Sequence, residues 1–166
     1  MKAVAIRLVD PRDIGALCSL AREIWRAHYP PIIGEAQTEY MLAQRYEPAI
    51  VGAELDREDI RLVAAHDGER MVGFASFHVQ DRAELKIDKL YVHPDRQRQG
   101  IGGALIEVAC DTARAYGLST LVLAVNKRNQ SAIAAYRKHG FEIRDALVKD
   151  IGQGFVMDDY VMVRCA

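Results

Sequence analysis

The residues from Gln97 to Gly103 combine glycines with polar and basic side chains, between a strand-like stretch and an amphipathic stretch. This segment, the glycine loop, consists of Gln97, Arg98, Gln99, Gly100, Ile101, Gly102 and Gly103. Glycines let the backbone approach a ligand closely. A helix that begins there presents unpaired N–H groups and the positive end of its dipole. The loop, preceded by Arg96, therefore predicts a cradle for a phosphate or pyrophosphate group.

Two common phosphate-binding patterns do not fit the glycine loop. A dinucleotide fingerprint that starts at Gly100 needs a glycine where Leu105 stands, and a Walker loop needs Lys-Ser/Thr after Gly103. The pattern that fits is Gln/Arg-x-x-Gly-x-Gly/Ala, from Gln97 to Gly102. It resembles the coenzyme A loop of the Gcn5-related N-acetyltransferase (GNAT) superfamily. The alternative is a strand-to-helix turn that binds no ligand.

A second segment, from Asn126 to Phe141, also resembles this superfamily. The resemblance implies that Asn129 opens a helix beside acetyl-CoA and that Tyr136 lies near the thioester sulfur. The spacing agrees, because Asn129, Ala132, Tyr136 and Gly140 fall on one helical stripe. A phenol there could protonate the leaving thiolate as a general acid. The alternatives are a packing role for the tyrosine and a plain helix cap for the asparagine.

The strand before the glycine loop is expected to hold the thioester. The resemblance implies that this strand separates from its neighbour at a bulge, so that a free backbone N–H points at the thioester carbonyl. Such a donor stabilises the developing oxyanion. Cofactor contacts are expected along Leu90, Tyr91 and Val92, with Leu90 and Val92 contributing backbone groups.

The general base that deprotonates the amine is less clearly marked. Glu84 and Asp88 share one face of the strand if no bulge intervenes, and either could accept a proton through a water. Lys86 lies between them on that face, so a surface ion pair is the alternative. His93, just before Pro94, is a further candidate if it does more than support the turn.

The expected acceptor is a small-molecule amine. The run from Gly152 to Met162 and the helical region with Glu39-Tyr40 resemble the PaiA-like polyamine acetyltransferases, which act on spermidine or spermine. Carboxylates that could attract such a cation belong to Glu35, Glu39, Asp158 and Asp159. Aromatic rings that could add cation–π contacts belong to Trp25, Tyr29 and Tyr40. Asp158 and Asp159 alternate on a strand, so at most one should face the site.

Two other functions remain open at this point. One is acetylation of protein N-termini or lysines, which an open groove would favour over a closed acidic pocket. The other is a non-catalytic acetyl-CoA-binding sensor or interaction domain. Tyr136 beside an intact glycine loop favours an enzyme over a sensor.

Composition narrows the class of protein. The chain has 166 residues, half of them hydrophobic, and a net charge of −1. This predicts one globular domain over residues 1–166 and argues against a general nucleic-acid binder. No apolar run approaches the ~18 residues that span a bilayer, so no membrane partner is expected. The chain has three cysteines, which lie far apart and form no CxxC pair, at Cys18, Cys110 and Cys165. We therefore expect free thiols in a cytoplasmic protein and no metal site.

Hydrophobic periodicity predicts the elements that position these groups. Strands are expected over Val4–Val9, Ile60–Ala65, Arg70–Gln80, Glu84–Val92, Leu118–Val125, Phe141–Val148 and Phe155–Val163, with turns at Asp67–Gly68 and Asp81–Arg82. Helices are expected from residue 14 until Pro30-Pro31 breaks the first, once or twice over 36–58, and over 101–116 and 131–139. The order implies one α/β domain with a mixed sheet. The resemblance implies a single-domain GNAT-like fold, with a mixed, mostly antiparallel sheet of six to seven strands flanked by helices. The final strand is expected at an exposed edge, where it could pair across a two-fold axis in a homodimer.

Overall fold

The computed structural model describes residues 3–80 and 83–166, and within them seven strands form one sheet that carries helices on both faces. The strands are β1 (Ala5–Leu8), β2 (Ile60–Asp67), β3 (Arg70–Gln80), β4 (Glu84–Val92), β5 (Thr120–Asn126), β6 (Glu142–Gly152) and β7 (Phe155–Cys165). The α-helices are α1 (Ile14–His28), α2 (Pro30–Ile33), α3 (Glu35–Arg45), α4 (Pro48–Leu55), α5 (Ile101–Ala115) and α6 (Gln130–Lys138). Short 3₁₀ turns cover Pro11–Asp13 and Pro94–Arg96. The predicted α/β class and element order are confirmed.

The sheet has the order β1-β2-β3-β4-β5-β7-β6, and its neighbours are antiparallel except for β4 and β5. In the described chain, the parallel register of β4 and β5 consists of two pairs, Leu85 with Leu121 and Lys86 with Val122. On its other side, β4 pairs Ile87 with Phe77 and Lys89 with Ser76, so the register steps over Asp88. The predicted bulge therefore falls at Asp88, and the predicted separation of β4 from its neighbour begins beside it.

Each face of the sheet buries its own apolar cluster. On one face, α5 and α6 pack Leu105 and Ile133 against strand residues such as Phe77. On the other face, α1, α3 and α4 cover Phe74, with Trp25 among the largest fully buried side chains. Burial of such a side chain stabilises the fold by about 1.5–3 kcal/mol. The sheet is thus clamped on both faces, which makes it a rigid platform for β4 and β5.

Two expectations about chain breaks change in the structure. Pro30 and Pro31 end α1 as predicted, but they also begin α2, because the missing N–H of proline costs nothing in the first turn of a helix. The predicted hairpin turn between β2 and β3 is present, with Gly68 at a φ of 61°. The predicted turn at Asp81–Arg82 lies outside the described residues.

The expectation that the last strand forms an exposed edge is wrong. β7 lies between β5 and β6, and β6 forms the edge. The reason is that β6 and β7 are a hairpin whose returning strand pairs with β5, from Thr120 opposite Cys165 to Asn126 opposite Asp159. Any pairing of a second copy along this edge would therefore use β6 instead of β7.

The described residues also bear on the expectations about cysteines, membrane-spanning helices and metal sites. Cys18 and Cys110 are buried and Cys165 is exposed, and all three are free thiols as expected. Over residues 3–80 and 83–166, no helix has the length and apolar character needed to cross a membrane. The same residues contain no group of three or more His, Cys, Asp or Glu side chains that could hold a metal ion.

Candidate active site

A cleft of about 1030 Å³ opens where β4 and β5 separate. The glycine loop and α5 line one part of it, and α6 lines the part beside β5. The ends of α1, α3 and β7 line the remainder. Leu90, Tyr91 and Val92 of β4 all belong to this lining, as expected for residues that contact a cofactor. The cleft therefore brings together segments that are separated by more than a hundred positions in the chain.

The glycine loop has the backbone geometry of an anion cradle. Gly100 precedes α5 in the left-handed conformation, with a φ of 83°, and Arg98 adopts a φ of 60°. Left-handed geometry is costly for a residue with a side chain and is typical of ligand-binding turns. A Cβ added at Gly102 would meet Val92 at 4.0 Å, so the space beside this glycine is open. The loop and the N-terminal turn of α5 thus fit a pyrophosphate group.

Five of the seven loop residues line the cleft, namely Gln97, Arg98, Gly100, Gly102 and Gly103. The side chains of Gln99 and Ile101 lie outside this lining. Gln99 accepts a hydrogen bond from Arg96 over 3.0 Å, and Ile101 is 4% exposed within the apolar core under α5. These two residues shape the loop and anchor its helix, so any contact with a ligand would come from their backbone.

The start of α6 faces the cleft through Asn129, which is buried. Its side-chain oxygen lies 2.9 Å from Nε2 of His28 and accepts a longer hydrogen bond of 3.4 Å from Ser131. The side chain does not cap its own helix. Asn129 therefore opens α6 as predicted, while its side chain ties that helix to the end of α1.

Tyr136, two turns further along α6, also lines the cleft. Its ring packs edge-on against Phe141 at 5.7 Å between centroids. Burial, with a smaller effect from Tyr91, raises the pKa of Tyr136 above its usual value of 10.0. The phenol therefore stays protonated across the physiological range and can act as a proton donor.

The two candidate bases on β4 have different environments. Asp88 lines the cleft and accepts a hydrogen bond of 3.1 Å from Arg45. Burial by itself would raise the pKa of Asp88, but nearby cations, Arg45 foremost, hold it below its usual 3.8. Glu84 lies outside the lining and pairs with Arg144 of β6.

His93, the third candidate, also lies outside the cleft lining. Its Nδ1 lies 2.6 Å from Asp95, and its Nε2 lies 2.8 Å from Glu23 of α1. The backbone N–H of Asp95 also donates to Nδ1, over 3.2 Å. Both ring nitrogens are therefore engaged in bonds that hold the turn between β4 and the glycine loop.

Near α3 and β7, the carboxylates expected to attract the acceptor differ in whether they line the cleft. Asp159 lines the cleft, whereas Asp158 pairs with Lys127 at 2.6 Å. One of the two aspartates thus faces the site, as the strand alternation predicts. Glu39 forms an ion pair with Arg26 outside the lining, and Glu35 also lies outside it.

Of the aromatic candidates, Trp25 and Tyr29 line the cleft with their ring centroids 4.3 Å apart. Trp25 is also part of the core, so it combines a structural role with a place in the wall. Tyr40 lies outside the lining, where its hydroxyl donates to the carbonyl of Ile151 over 2.5 Å. It therefore holds β6 to α3 instead of facing a ligand.

The structure adds cleft residues that sequence reasoning missed, among them His28, Arg45 and His139. His139 lies so close to the glycine loop that a Cβ on Gly103 would meet its ring at 2.9 Å. His139 falls within the segment from Asn126 to Phe141, where the sequence suggested no role for it, whereas His28 and Arg45 belong to neither of the two segments that resemble the family. Their role depends on which distant segments meet at the cleft.

Comparison with known proteins agrees with this architecture. An N-acetyltransferase of Mycobacterium tuberculosis, named as uncharacterized, is 37% identical over 103 residues, which is 62% of this chain and 65% of that relative. A spermidine N(1)-acetyltransferase of Thermoplasma acidophilum is 26% identical over 161 residues, which is 94% of this chain and 96% of the relative.

Among solved structures, the fold is similar to that of the PaiA N-acetyltransferase from Thermoplasma acidophilum in complex with coenzyme A. The TM-score is 0.87 with 23% identity, over 99% of this chain and 100% of the other. The profile of the acetyltransferase (GNAT) family matches residues 17–141. Because that match covers most of the chain, this protein belongs to the GNAT acetyltransferase family.

Proposed function

We propose that this protein transfers the acetyl group of acetyl-CoA to a primary amine of a small cationic acceptor of the polyamine class. The observation that carries this proposal is the lining of one cleft by the glycine loop, Tyr136 and Asp159. The first fits an anionic cofactor, the second can donate a proton, and the third can attract a cationic amine. Together, the three features fit the transfer of an acetyl group from acetyl-CoA to an amine.

Acetyl-CoA as co-substrate would supply the acetyl thioester. The backbone of Gly100, Gly102 and Gly103, with the basic side chain of Arg98, would hold its pyrophosphate at the start of α5. Gln97 donates to the carbonyl of Val92 over 3.2 Å and would keep the loop close to β4. Asn129, whose oxygen is engaged by His28, would offer its amide N–H groups to the cofactor.

The separated part of β4 would position and polarise the thioester. Within the described residues, the pairing of β4 with β5 ends at Lys86, so the backbone groups beyond it on that side of β4 border the cleft. A backbone N–H at Leu90 or Val92 could then donate to the developing oxyanion. Tyr91 would contribute to the wall between these two donors.

Tyr136 would act as the general acid on the departing sulfur. Its raised pKa keeps the proton on the phenol until the thiolate forms. Such a phenol is a weaker acid than a thiol. Transfer of its proton to the sulfur therefore becomes favourable only as the attacking nitrogen releases a proton that restores the phenol. The residue therefore relays a proton and ends the reaction in its starting state.

The base remains a choice between cleft carboxylates. Of the two β4 candidates, Asp88 lines the cleft and Glu84 does not.

The likeness to a spermidine N(1)-acetyltransferase over 94% of this chain supports a polyamine acceptor. A protein N-terminus is the alternative acceptor, since a [ribosomal protein bS18]-alanine N-acetyltransferase of Escherichia coli is 36% identical over 88 residues, which is 47% of this chain and 60% of that relative.

The test is an acceptor panel. The protein is incubated with acetyl-CoA and with spermidine, spermine, a lysine peptide or a peptide with an N-terminal alanine, and release of free thiol is followed. We expect the highest kcat/KM with a polyamine. Preference for a peptide would replace the polyamine by a protein acceptor. Binding of acetyl-CoA without turnover of any amine would favour a sensor instead.

A further inference from the structure

We propose that Asp159 is the catalytic base of this site, and that its carboxylate binds the ammonium group of the acceptor and removes one proton from it. This inference rests on the proposed acetyl transfer and adds a residue that sequence reasoning considered only for attracting the acceptor. Asp159 lies on β7, opposite Asn126 of β5, and belongs to the lining of the cleft.

The first argument is that Asp159 is buried and unpartnered. The residue is 4% exposed, and it lines the cleft. Among residues 3–80 and 83–166, its carboxylate forms no hydrogen bond and no ion pair, in contrast to the other carboxylates around this end of the cleft. A buried carboxylate is costly unless a partner compensates its charge. A cationic ligand that enters the cleft would supply that partner.

The second argument comes from the neighbouring carboxylates, which already have partners. Asp88 interacts with Arg45 at 3.1 Å and with the buried ammonium of Lys89 at 3.4 Å. Asp158 points to Lys127 and is about half exposed. A charge that is balanced within the protein attracts an ammonium group weakly and is a weak proton acceptor. Asp159 therefore has the greater capacity for both tasks.

The third argument is the proton affinity of the group. Burial, followed by repulsion from Asp158, raises the pKa of Asp159 above its usual 3.8. The cations that oppose this shift are Lys86 from β4, Arg45 from α3 and Lys127 from the loop before α6. A carboxylate of raised pKa is the stronger base, whereas the cations around Asp88 lower its pKa.

The proton balance of the reaction can be written in full. One N–H bond of the acceptor ammonium breaks, its proton goes to Asp159, and the electron pair stays on nitrogen. That pair attacks the thioester carbon, so that a C–N bond forms and the C–S bond breaks. The sulfur takes the proton of Tyr136, and the second proton of the nitrogen returns to the phenolate. Asp159 then releases its proton to solvent, so the reaction yields an amide, a thiol and one proton.

The experiment compares Asp159→Asn with the matched variant Asp158→Asn on the full chain. Three quantities are measured for each: kcat/KM for spermidine, the dissociation constant of acetyl-CoA, and Tm. We expect Asp159→Asn to lower kcat/KM at least about 100-fold, in the range of a lost general base, with the acetyl-CoA affinity unchanged. Asp158→Asn should stay within about threefold of the unsubstituted protein, since Asp158 lies outside the cleft lining and its repulsion is a smaller cause of the raised pKa of Asp159 than burial.

The Tm separates a catalytic role from a structural one. A raised carboxyl pKa means that the folded protein loses stability as pH rises through that pKa, because the unfolded chain ionises more easily. The neutral amide should therefore leave Tm unchanged or raise it at neutral pH. A lower Tm in Asp159→Asn would indicate a structural carboxylate and would overturn the assignment.

A pH profile distinguishes Asp159 from Asp88. We expect kcat/KM to fall on the acidic side as the base is protonated, and Asp159→Asn should abolish this limb while Asp88→Asn retains it. Activity of Asp159→Asn within about threefold of the unsubstituted protein would refute the inference and leave the acetyl transfer intact. If the unsubstituted protein acetylates no amine at all, it is the proposed function that fails.

Discussion

The Nε2 atom of His28 lies 2.9 Å from the side-chain oxygen of Asn129, although the two residues are 101 positions apart. The contact connects the last turn of α1 to the N-cap residue of α6. Because the same oxygen also accepts from Ser131 at 3.4 Å, the amide nitrogen is left to donate elsewhere. All three residues line the cleft. One hydrogen bond thus joins the end of α1 to the start of α6 within the cleft.

This contact predicts a role for His28 in cofactor binding. Replacing His28 with Ala removes one hydrogen bond of about 1 kcal/mol, so the dissociation constant of acetyl-CoA should rise about fivefold. The affinity is measured by isothermal titration. His28→Gln, which keeps a side-chain N–H donor, should restore most of it. Equal affinity in the alanine variant would mean that Asn129 is oriented without His28.

The phenol of Tyr136 is predicted to affect the chemical step more than binding. Tyr136→Phe removes the proton donor and keeps the ring that packs on Phe141, so kcat should fall about 10²- to 10⁴-fold. The acetyl-CoA dissociation constant should stay within about twofold. Tyr116→Phe serves as the control, because Tyr116 is an exposed tyrosine at the end of α5. An unaltered kcat in Tyr136→Phe would remove the phenol from the mechanism.

The binding of acetyl-CoA by the glycine loop can be tested at Gly102, where an added Cβ would not collide with the protein. A Cβ at Gly102 meets Val92 only at 4.0 Å, and alanine favours a helix over glycine by up to about 1 kcal/mol. Gly102→Ala should therefore keep or raise Tm, yet weaken acetyl-CoA by crowding the cradle, and Gly102→Trp should abolish binding. Gly15→Ala on α1, also with open space around it, should leave the affinity unchanged. Normal affinity in Gly102→Trp would contradict the assignment of the loop.

The stability of the protein is predicted to depend on a buried ion pair next to the bulge of β4. Lys89 is 2% exposed, and its Nζ lies 2.7 Å from both carboxylate oxygens of Glu54 on α4. Breaking such a pair costs about 3 kcal/mol, so Lys89→Met should lower the free energy of unfolding by about that amount in urea denaturation. Lys127→Met, which breaks the exposed pair with Asp158, should cost less than about 1 kcal/mol. Similar losses in the two variants would show that burial does not strengthen the β4 pair.

Much of the fold, and the segments that place the glycine loop and Tyr136 at the candidate site, could be predicted because they depend on local signals. The bounds of β4, Glu84–Val92, agree with the predicted strand. Gly117 and Gly140 follow their helices with φ of 71° and 85°, as the end of a helix favours. The cradle at Gly100 and the position of Tyr136 on α6 also follow from spacing within a short segment.

The acceptor half could not be predicted in the same way, because it depends on which distant groups meet. Alternation on a strand assigns Asp88 to a face, but it is Arg45 of α3 that balances its charge. The same alternation makes Glu84 an equal candidate for the base, but in the structure Glu84 pairs with Arg144, which is sixty positions away in the chain.

By itself, the sequence determined the element order, the glycine loop and the general acid candidate, since periodicity and backbone preference act within a few residues of the chain. Only the tertiary structure decided that β7 lies inside the sheet and carries Asp159 to the cleft. The physical reason is that the charge state and reactivity of a carboxylate depend on burial and partners, and both arise from the packing of segments far apart in sequence.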